Sequence, residues 1–467
     1  MKRSIYGTIL AALTSLSLVA CQSGNGSGVV PANPFPVQNG APNTTGQAVL
    51  GRIVGIGDSL TAGFQSGALL GVTGANPFFP ATSPLPGLPP GQPVGWWADL
   101  FNQVNGPNAA LNVLPLIKSP GIGMFLIPTN TGSFTAPQSS CGGLNAFAFD
   151  PAQTIANDRV NTALTTPLDL GVPGMGAHEA LYMVGPQGPC AVISAGPFAV
   201  FQSENTNFYP VMANYAGLSP VQAARNLRPT LTTVWLGANE VLKYAGTGGQ
   251  YFIPVSSYQA DLTTIVQTLQ AAGSQVALAN LPDVLSVPAF IPVAALPLVL
   301  QGFGVPAQSA LAISVAVSQA NNLTAGSYYT LAALPAILAV AQGGAVPSNL
   351  VQLGQALPAA FAAQVQSYNT SINSAIASVA QATGAALVDI HATFVQAATM
   401  GVPINPPKCC TLTLTGGLTS FDGLHPSNTG YALIANTFIS AINAKWGTTI
   451  PQVNVNAVYA TDPYAPH

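Results

Sequence analysis

The stretch RIVGIGDSLTAG, residues 52–63, runs a short apolar segment straight into a Gly-Asp-Ser-Leu turn. Apolar runs of this length that end at turn residues mark strands buried on both faces, so Arg52–Ile56 is predicted to be one. Thr232–Leu236, Val276–Leu281 and Ala385–Ile390 repeat the pattern. Helical periods lie between them. Ser219-Pro220-Val221-Gln222 joins a capping box to a Pro at the first helical position, and Pro229 stops that helix. Ser256 with Gln259 opens another, in which Leu262, Ile265, Val266 and Leu269 share one face before Gly273 ends it. Trp97, Leu100, Phe101 and Val104 keep the same spacing, as do Phe361, Val365, Tyr368, Ile372 and Ile376. A last helix is expected at about Thr429–Trp446. Strands alternating with helices of this length predict an α/β fold with a parallel sheet covered on both faces. Ligands of such sheets bind at the carboxyl ends of the strands.

The residues that carry chemistry fall at those ends. Ser59 follows the first strand, so its hydroxyl projects where the sheet opens. Far downstream, Asp422-Gly423-Leu424-His425-Pro426 sets a carboxylate three residues before an imidazole. A turn there lets Asp422 fix the tautomer of His425 while the other ring nitrogen faces a serine, which is what a serine nucleophile needs. His178, His391 and His467 complete the four histidines; His391 follows a strand and His178 a Gly-rich turn, and both are read as structural. Acyl transfer also requires donors aimed at a developing oxyanion, each worth roughly 3 kcal/mol. Gly171-Val172-Pro173-Gly174 offers a backbone N–H, Gly237-Ala238-Asn239-Glu240 an amide side chain, and Ser59 its own N–H.

In this order the four blocks resemble the SGNH, or GDSL-type, esterases and lipases. Gly57–Gly63 (GDSLTAG) matches the first block, Gly174 the second loosely, and FDGLHPSNTGYALIAN, residues 421–436, the last closely. The third block of the family reads Gly-x-Asn-Asp, whereas Glu240 holds the final place here. The resemblance implies a flavodoxin-like, three-layer α/β/α sandwich with about five parallel strands. It implies Ser59 as nucleophile, His425 as general base and then acid, and Asp422 as its orienting partner. The Ser59 N–H, Gly174 N–H and Asn239 amide would form the oxyanion hole. The implied reaction is ester hydrolysis through an acyl-enzyme, on a small-molecule or lipid ester, without metal or other cofactor. A carbohydrate O-deacetylase of the same fold and a non-catalytic surface-binding lipoprotein are the alternatives. The rival Gly-x-Ser-x-Gly signature is absent from the sequence.

Composition agrees with an exported protein. Only 5% of the 467 residues are charged, against roughly 25% in typical domains. Extended nucleic-acid binding is excluded, because 10 Lys+Arg spread over the chain cannot neutralise a phosphate backbone. With 49% hydrophobic residues the chain can bury a large core, and its 47 Gly and 41 Pro interrupt nearly every run long enough to span a bilayer. Lys2 and Arg3 precede an uncharged stretch that closes on Leu18-Val19-Ala20-Cys21. This is a secretory signal over residues 1–20. Its Cys21 resembles a bacterial lipobox, implying a lipidated anchor rather than a span. Residues 21–48 then read as a Gly/Ser/Pro/Asn tether with a reach of roughly 30 Å. The implied location is the extracytoplasmic cell envelope, with Gln22 favouring the outer membrane or cell surface.

Cys141, Cys190, Cys409 and Cys410 are an even set, which outside the cytoplasm favours two disulfides. Because Cys409 and Cys410 are adjacent, each is expected to pair with Cys141 or Cys190. A single hydrolase domain is expected over residues 49–450, followed by a tail at 451–467. Two segments interrupt the alternation: a loop-rich insertion at 64–160 and an apolar helical cap at 284–365, within a stretch, 284–388, that holds no charged residue. The cap reads either as a greasy cover or lipid-facing surface, or as core-packing helices in a charge-poor chain.

Overall fold

The computed structural model describes residues 45–66, 68–70, 91–117, 121–123, 159–183, 211–215, 217–402, 404 and 416–465. Cys21, Cys141, Cys190, Cys409, Cys410, the leader, the tether up to residue 44 and much of 64–160 lie outside the described residues, and with them the expected lipidation and disulfides; the last residues of the expected tether instead enter a 3-10 helix, Gly46–Gly51.

The strands are β1 Ile53–Gly57, β2 Ala68–Leu70, β3 Gly121–Gly123, β4 Asp169–Gly171, β5 Leu231–Trp235, β6 Gln275–Ala279, β7 Phe290–Pro292, β8 Tyr328–Thr330, β9 Ala356–Leu357 and β10 Ala386–Val388. Five of them form the central sheet in the order β10-β6-β5-β1-β4, every neighbouring pair parallel. All five residues of β1 and of β5 are buried, as a sheet covered on both faces requires. The chain leaves β1 for β4 on one side and then crosses to β5 on the other. The carboxyl ends of β4, β1 and β5 therefore lie side by side at the point where the winding direction reverses.

The helices among the described residues are α1 Trp96–Asn105, α2 Ala177–Tyr182, α3 Pro220–Asn226, α4 Ala238–Gly246, α5 Val255–Ala271, α6 Leu296–Gly302, α7 Ala307–Ala320, α8 Leu334–Ala341, α9 Ala359–Thr383, α10 Ile390–Met400, α11 Asn428–Trp446 and, within the segment expected as a tail, α12 Val455–Tyr459. Apart from α6, α7 and α8, they flank the central sheet as a three-layer α/β/α sandwich. One group pairs α1 with α11; the other gathers α2, α3 and α9 around α5. Trp96 of α1 stacks on Phe438 of α11 at 4.0 Å between ring centroids and meets Trp235 of β5 edge-on at 5.9 Å. One aromatic cluster thus joins helix layer to sheet. Local signals act as the sequence suggests. Ser219 Oγ accepts from the Gln222 N–H at 3.3 Å and Gln222 Oε1 from the Ser219 N–H at 3.0 Å, closing the capping box of α3. The helix expected to open at Ser256 instead starts at Val255. The fixed φ of Pro254 presets the turn, and its carbonyl accepts from Ser257 and Tyr258.

Between β6 and α9, residues 284–357 build a unit of their own. β7, β8 and β9 pair antiparallel, and α6, α7 and α8 close over a separate cluster that includes Leu296, Leu300, Ile313, Val317, Tyr329 and Ile337. Two backbone donors moor it: Val284 N–H to Asn369 Oδ1 of α9 at 3.2 Å, and Ala289 N–H to the Gly423 carbonyl at 2.9 Å. No helix among the described residues is long and apolar enough to cross a membrane.

Candidate active site

Ser59 sits two residues beyond β1, in a turn where Thr61 and Ala62 donate their N–H groups to the Asp58 carbonyl. His425 Nε2 lies 2.8 Å from Ser59 Oγ, and His425 Nδ1 lies 2.8 Å from Asp422 Oδ2. A hydroxyl, an imidazole and a carboxylate thus form one hydrogen-bonded line across 366 residues of sequence. The other Asp422 oxygen accepts from the His425 N–H at 2.8 Å, the Leu424 N–H at 2.9 Å and Ser420 Oγ at 3.1 Å. Burial alone would raise the Asp422 carboxyl; the charge and hydrogen bond of His425, with those two backbone donors, outweigh it and hold the group below its ordinary value. Asp422 is therefore the ionised member that keeps the Nδ1 proton in place.

Several residues that sequence reading passed over fix this line. Phe64 packs on the His425 ring at 4.7 Å between centroids. Gln65, buried, donates to the Pro426 carbonyl at 3.1 Å and to Asn428 Oδ1 at 2.9 Å, tying the turn after Ser59 to the turn that carries His425. The Ser66 N–H donates to Ser420 Oγ at 2.9 Å. All three follow directly on the GDSLTAG motif, so proximity to Ser59 was the available signal.

The Ser59 and Gly174 backbone N–H groups meet no protein acceptor among the described residues, as donors held for a ligand would. Gly174 has φ +88°, a conformation that costs glycine alone nothing. Asn239 enters at the first turn of α4, beyond the end of β5. Its Nδ2 donates to Asp58 Oδ2 at 3.1 Å and to the Met175 carbonyl at 3.0 Å, so both amide protons are engaged. Asp58 is pushed up to about 6, chiefly by burial, against the opposing pull of the Leu60 N–H and His425. His178 and His391 stand apart. His178 Nδ1 pairs with Asp261 at 3.0 Å, and the His391 N–H donates to Asn280.

A pocket opens on Ser59, His425 and Asn239. Its walls are almost wholly apolar: Leu60, Trp235, Leu242, Pro282, Val284, Val287, Phe394 and Leu424. It holds about 40 Å³ of room for water-sized occupants, and Val284 and Val287 reach it from the root of the inserted unit. No cluster of three or more metal-ligating side chains occurs among the described residues.

A family model for GDSL-like lipases and acylhydrolases matches residues 53–438, a span that begins at β1 and ends inside α11. The chain belongs to the GDSL-like lipase/acylhydrolase family. Ester hydrolysis is the chemistry that this family membership supports. Similar solved structures include a GDSL-like lipase from Parabacteroides merdae, at 11% identity and TM-score 0.27 over 61% of this chain and 76% of that one. Two structures of an acetylxylan esterase from Geobacillus stearothermophilus also match. One, described as an acetyl-xylooligosaccharide esterase, has 12% identity and TM-score 0.32 over 84% of this chain and 94% of that one; the other has 11% identity and TM-score 0.32 over 86% and 96%. Likenesses of that size say nothing of substrate. No curated protein matches.

Proposed function

We propose that this GDSL-like hydrolase is a serine esterase acting on carboxylic esters with an apolar acyl chain. The line from Ser59 Oγ through His425 to Asp422, each link 2.8 Å, carries the reading. Ser59 Oγ attacks the ester carbonyl while His425 Nε2 takes its proton, and Asp422 accepts the Nδ1–H of the imidazolium so formed. The tetrahedral oxyanion takes the Ser59 and Gly174 N–H groups, and Asn239 turns one amide proton to it from Asp58. His425 then protonates the leaving alcohol, and water resolves the acyl-enzyme by the same route. The apolar walls at Leu242, Val284, Val287 and Phe394 favour a hydrocarbon acyl group over an acetylated sugar, whose hydroxyls would find no partners there. The leader over residues 1–20, followed directly by Cys21, supports a lipid-anchored protein of the cell envelope.

Mature protein hydrolyses a nitrophenyl butyrate in this reading, and Ser59→Ala reduces the rate to background without loss of folding. Equal rates in the two proteins would remove the serine mechanism. Faster turnover of acetylated xylan than of longer acyl esters would favour the deacetylase alternative.

A further inference from the structure

Glu240, the residue that departs from the family's Asp, is buried at 3% exposure. Its Oε1 accepts the N–H of Ala177 at 2.7 Å, from the helix that follows the Gly174 turn. The residue before it, Asn239, donates to the carbonyl of Met175 in the same turn at 3.0 Å. Two consecutive residues at the start of α4 thus grip residues 175–177, one through a carbonyl and one through an N–H. Glu179 supports the grip: its Oε2 accepts from the Gly176 N–H at 3.1 Å and its Oε1 pairs with Lys243 at 3.0 Å. The longer side chain has a matching space. A Cβ on Gly176 would fall 2.6 Å from Glu179 Oε2 and 2.7 Å from Glu240 Oε1, closer than real Cβ contacts come, so glycine leaves room for both carboxyl groups. The second Glu240 oxygen, Oε2, is buried without a hydrogen-bond partner. Burial, with neighbouring Glu179 adding to it, raises Glu240 to about 7, against the opposing pull of the Ala177 N–H and Lys243.

We propose that Glu240 is a positioning residue for the oxyanion hole: seated against Gly176, it holds the turn after β4 at a second point beside the one Asn239 holds, and so fixes the Gly174 N–H and the Asn239 amide relative to Ser59. This rests on the esterase reading above. What the position requires is an acceptor at the Oε1 site, with the reach of a glutamate side chain. An aspartate is one methylene shorter and leaves the Ala177 N–H unpaired. Misplacing a transition-state donor by about 1 Å costs on the order of 100-fold in rate while substrate binding is little changed.

The test compares Glu240→Ala, Glu240→Asp, Glu240→Gln and Gly176→Ala with wild type and Ser59→Ala on nitrophenyl butyrate. Rates are taken per active site titrated with a serine-directed phosphonate, which removes any misfolded fraction. Glu240→Ala, Glu240→Asp and Gly176→Ala are expected to lose about 10- to 100-fold in kcat with KM within about twofold. Glu240→Gln, which keeps the acceptor, returns kcat to within about threefold of wild type. Wild-type kcat in Glu240→Ala, or a Glu240→Gln as slow as Glu240→Ala, overturns the positioning role while an inactive Ser59→Ala leaves the esterase reading standing. If Glu240→Ala does not fold, Gly176→Ala and Glu240→Gln decide the matter. An active Ser59→Ala would instead defeat the reading beneath.

Discussion

The central sheet and the unit at 284–357 are built from similarly apolar sequence but do opposite things with it. In the sheet, β1 and β5 bury every residue, and Asp58, Ser59 and Asn239 follow just beyond their carboxyl ends. The inserted unit has no charged residue and keeps its own small core, yet leaves Leu298 72%, Leu311 57% and Val315 47% exposed. It touches the chemistry only at its root, through Val284, Val287 and the bond from Ala289 to Gly423. In the mechanism proposed above, the ends of β1 and β5 and the turn before α11 set the reacting groups, and the insertion contributes only part of the pocket wall.

The largest effect expected on the sheet side comes from Asp422→Asn. It keeps the shape of the turn but favours the wrong imidazole tautomer, and kcat falls about 10⁴-fold in steady-state assays while the melting temperature stays near that of wild type. A comparable loss from any insertion variant that leaves Ala289 and the pocket wall intact would dissolve the division of labour. Leu300→Ala, in the insertion core, is expected to destabilise by about 2–5 kcal/mol in urea titration, with the kcat of the still-folded fraction unchanged. A parallel fall in kcat per titrated site would mean that the unit braces the Asp422–His425 turn as a whole.

The dependence of stability on pH separates the regions next. Asp58 is raised to about 6 and Asp169 and Glu240 to about 7, each chiefly by burial, and all three belong to the sandwich. Groups whose folded values lie above their unfolded ones hold protons that the unfolded chain would release. Their contribution is present at low pH and is lost as pH rises through about 6 to 7. Asp422 runs the other way, and its contribution is lost only when pH falls below the ordinary carboxylate range. Stability measured by denaturant titration should thus increase from pH 8 to pH 5. A maximum at pH 8 would contradict the burial argument. The smallest effect is on selectivity. Val287→Trp narrows the pocket from the insertion side and should lower kcat/KM for an octanoyl ester about tenfold relative to an acetyl ester, read from an acyl-length series.

Much of this arrangement was legible in the residues, and the unread parts have physical causes. Strands read at Arg52–Ile56 and Thr232–Leu236 fall at Ile53–Gly57 and Leu231–Trp235, because a fully buried strand announces itself by an unbroken apolar run. β4 escaped individual notice: it is three residues long and begins with Asp169, whose Oδ1 folds back to accept the Gly171 N–H at 2.9 Å. The insertion hid its helix faces because α7 exposes Leu311 and Val315 while burying Ile313 and Val317, which erases the polar-apolar period. In the site, the spacing of Asp422 and His425 shows in the sequence because one turn makes it. Contacts such as Gln65 with Asn428, or Asn239 with Asp58, join distant turns and leave no local trace.

The most direct test is to expose the protein to a serine-directed fluorophosphonate and read the adduct by peptide mass spectrometry. One phosphonyl group on Ser59 per chain is predicted, with none in His425→Ala over the same interval. Stoichiometric labelling at another serine, or an unmodified Ser59 in folded protein, would contradict a nucleophile activated from the far end of the chain.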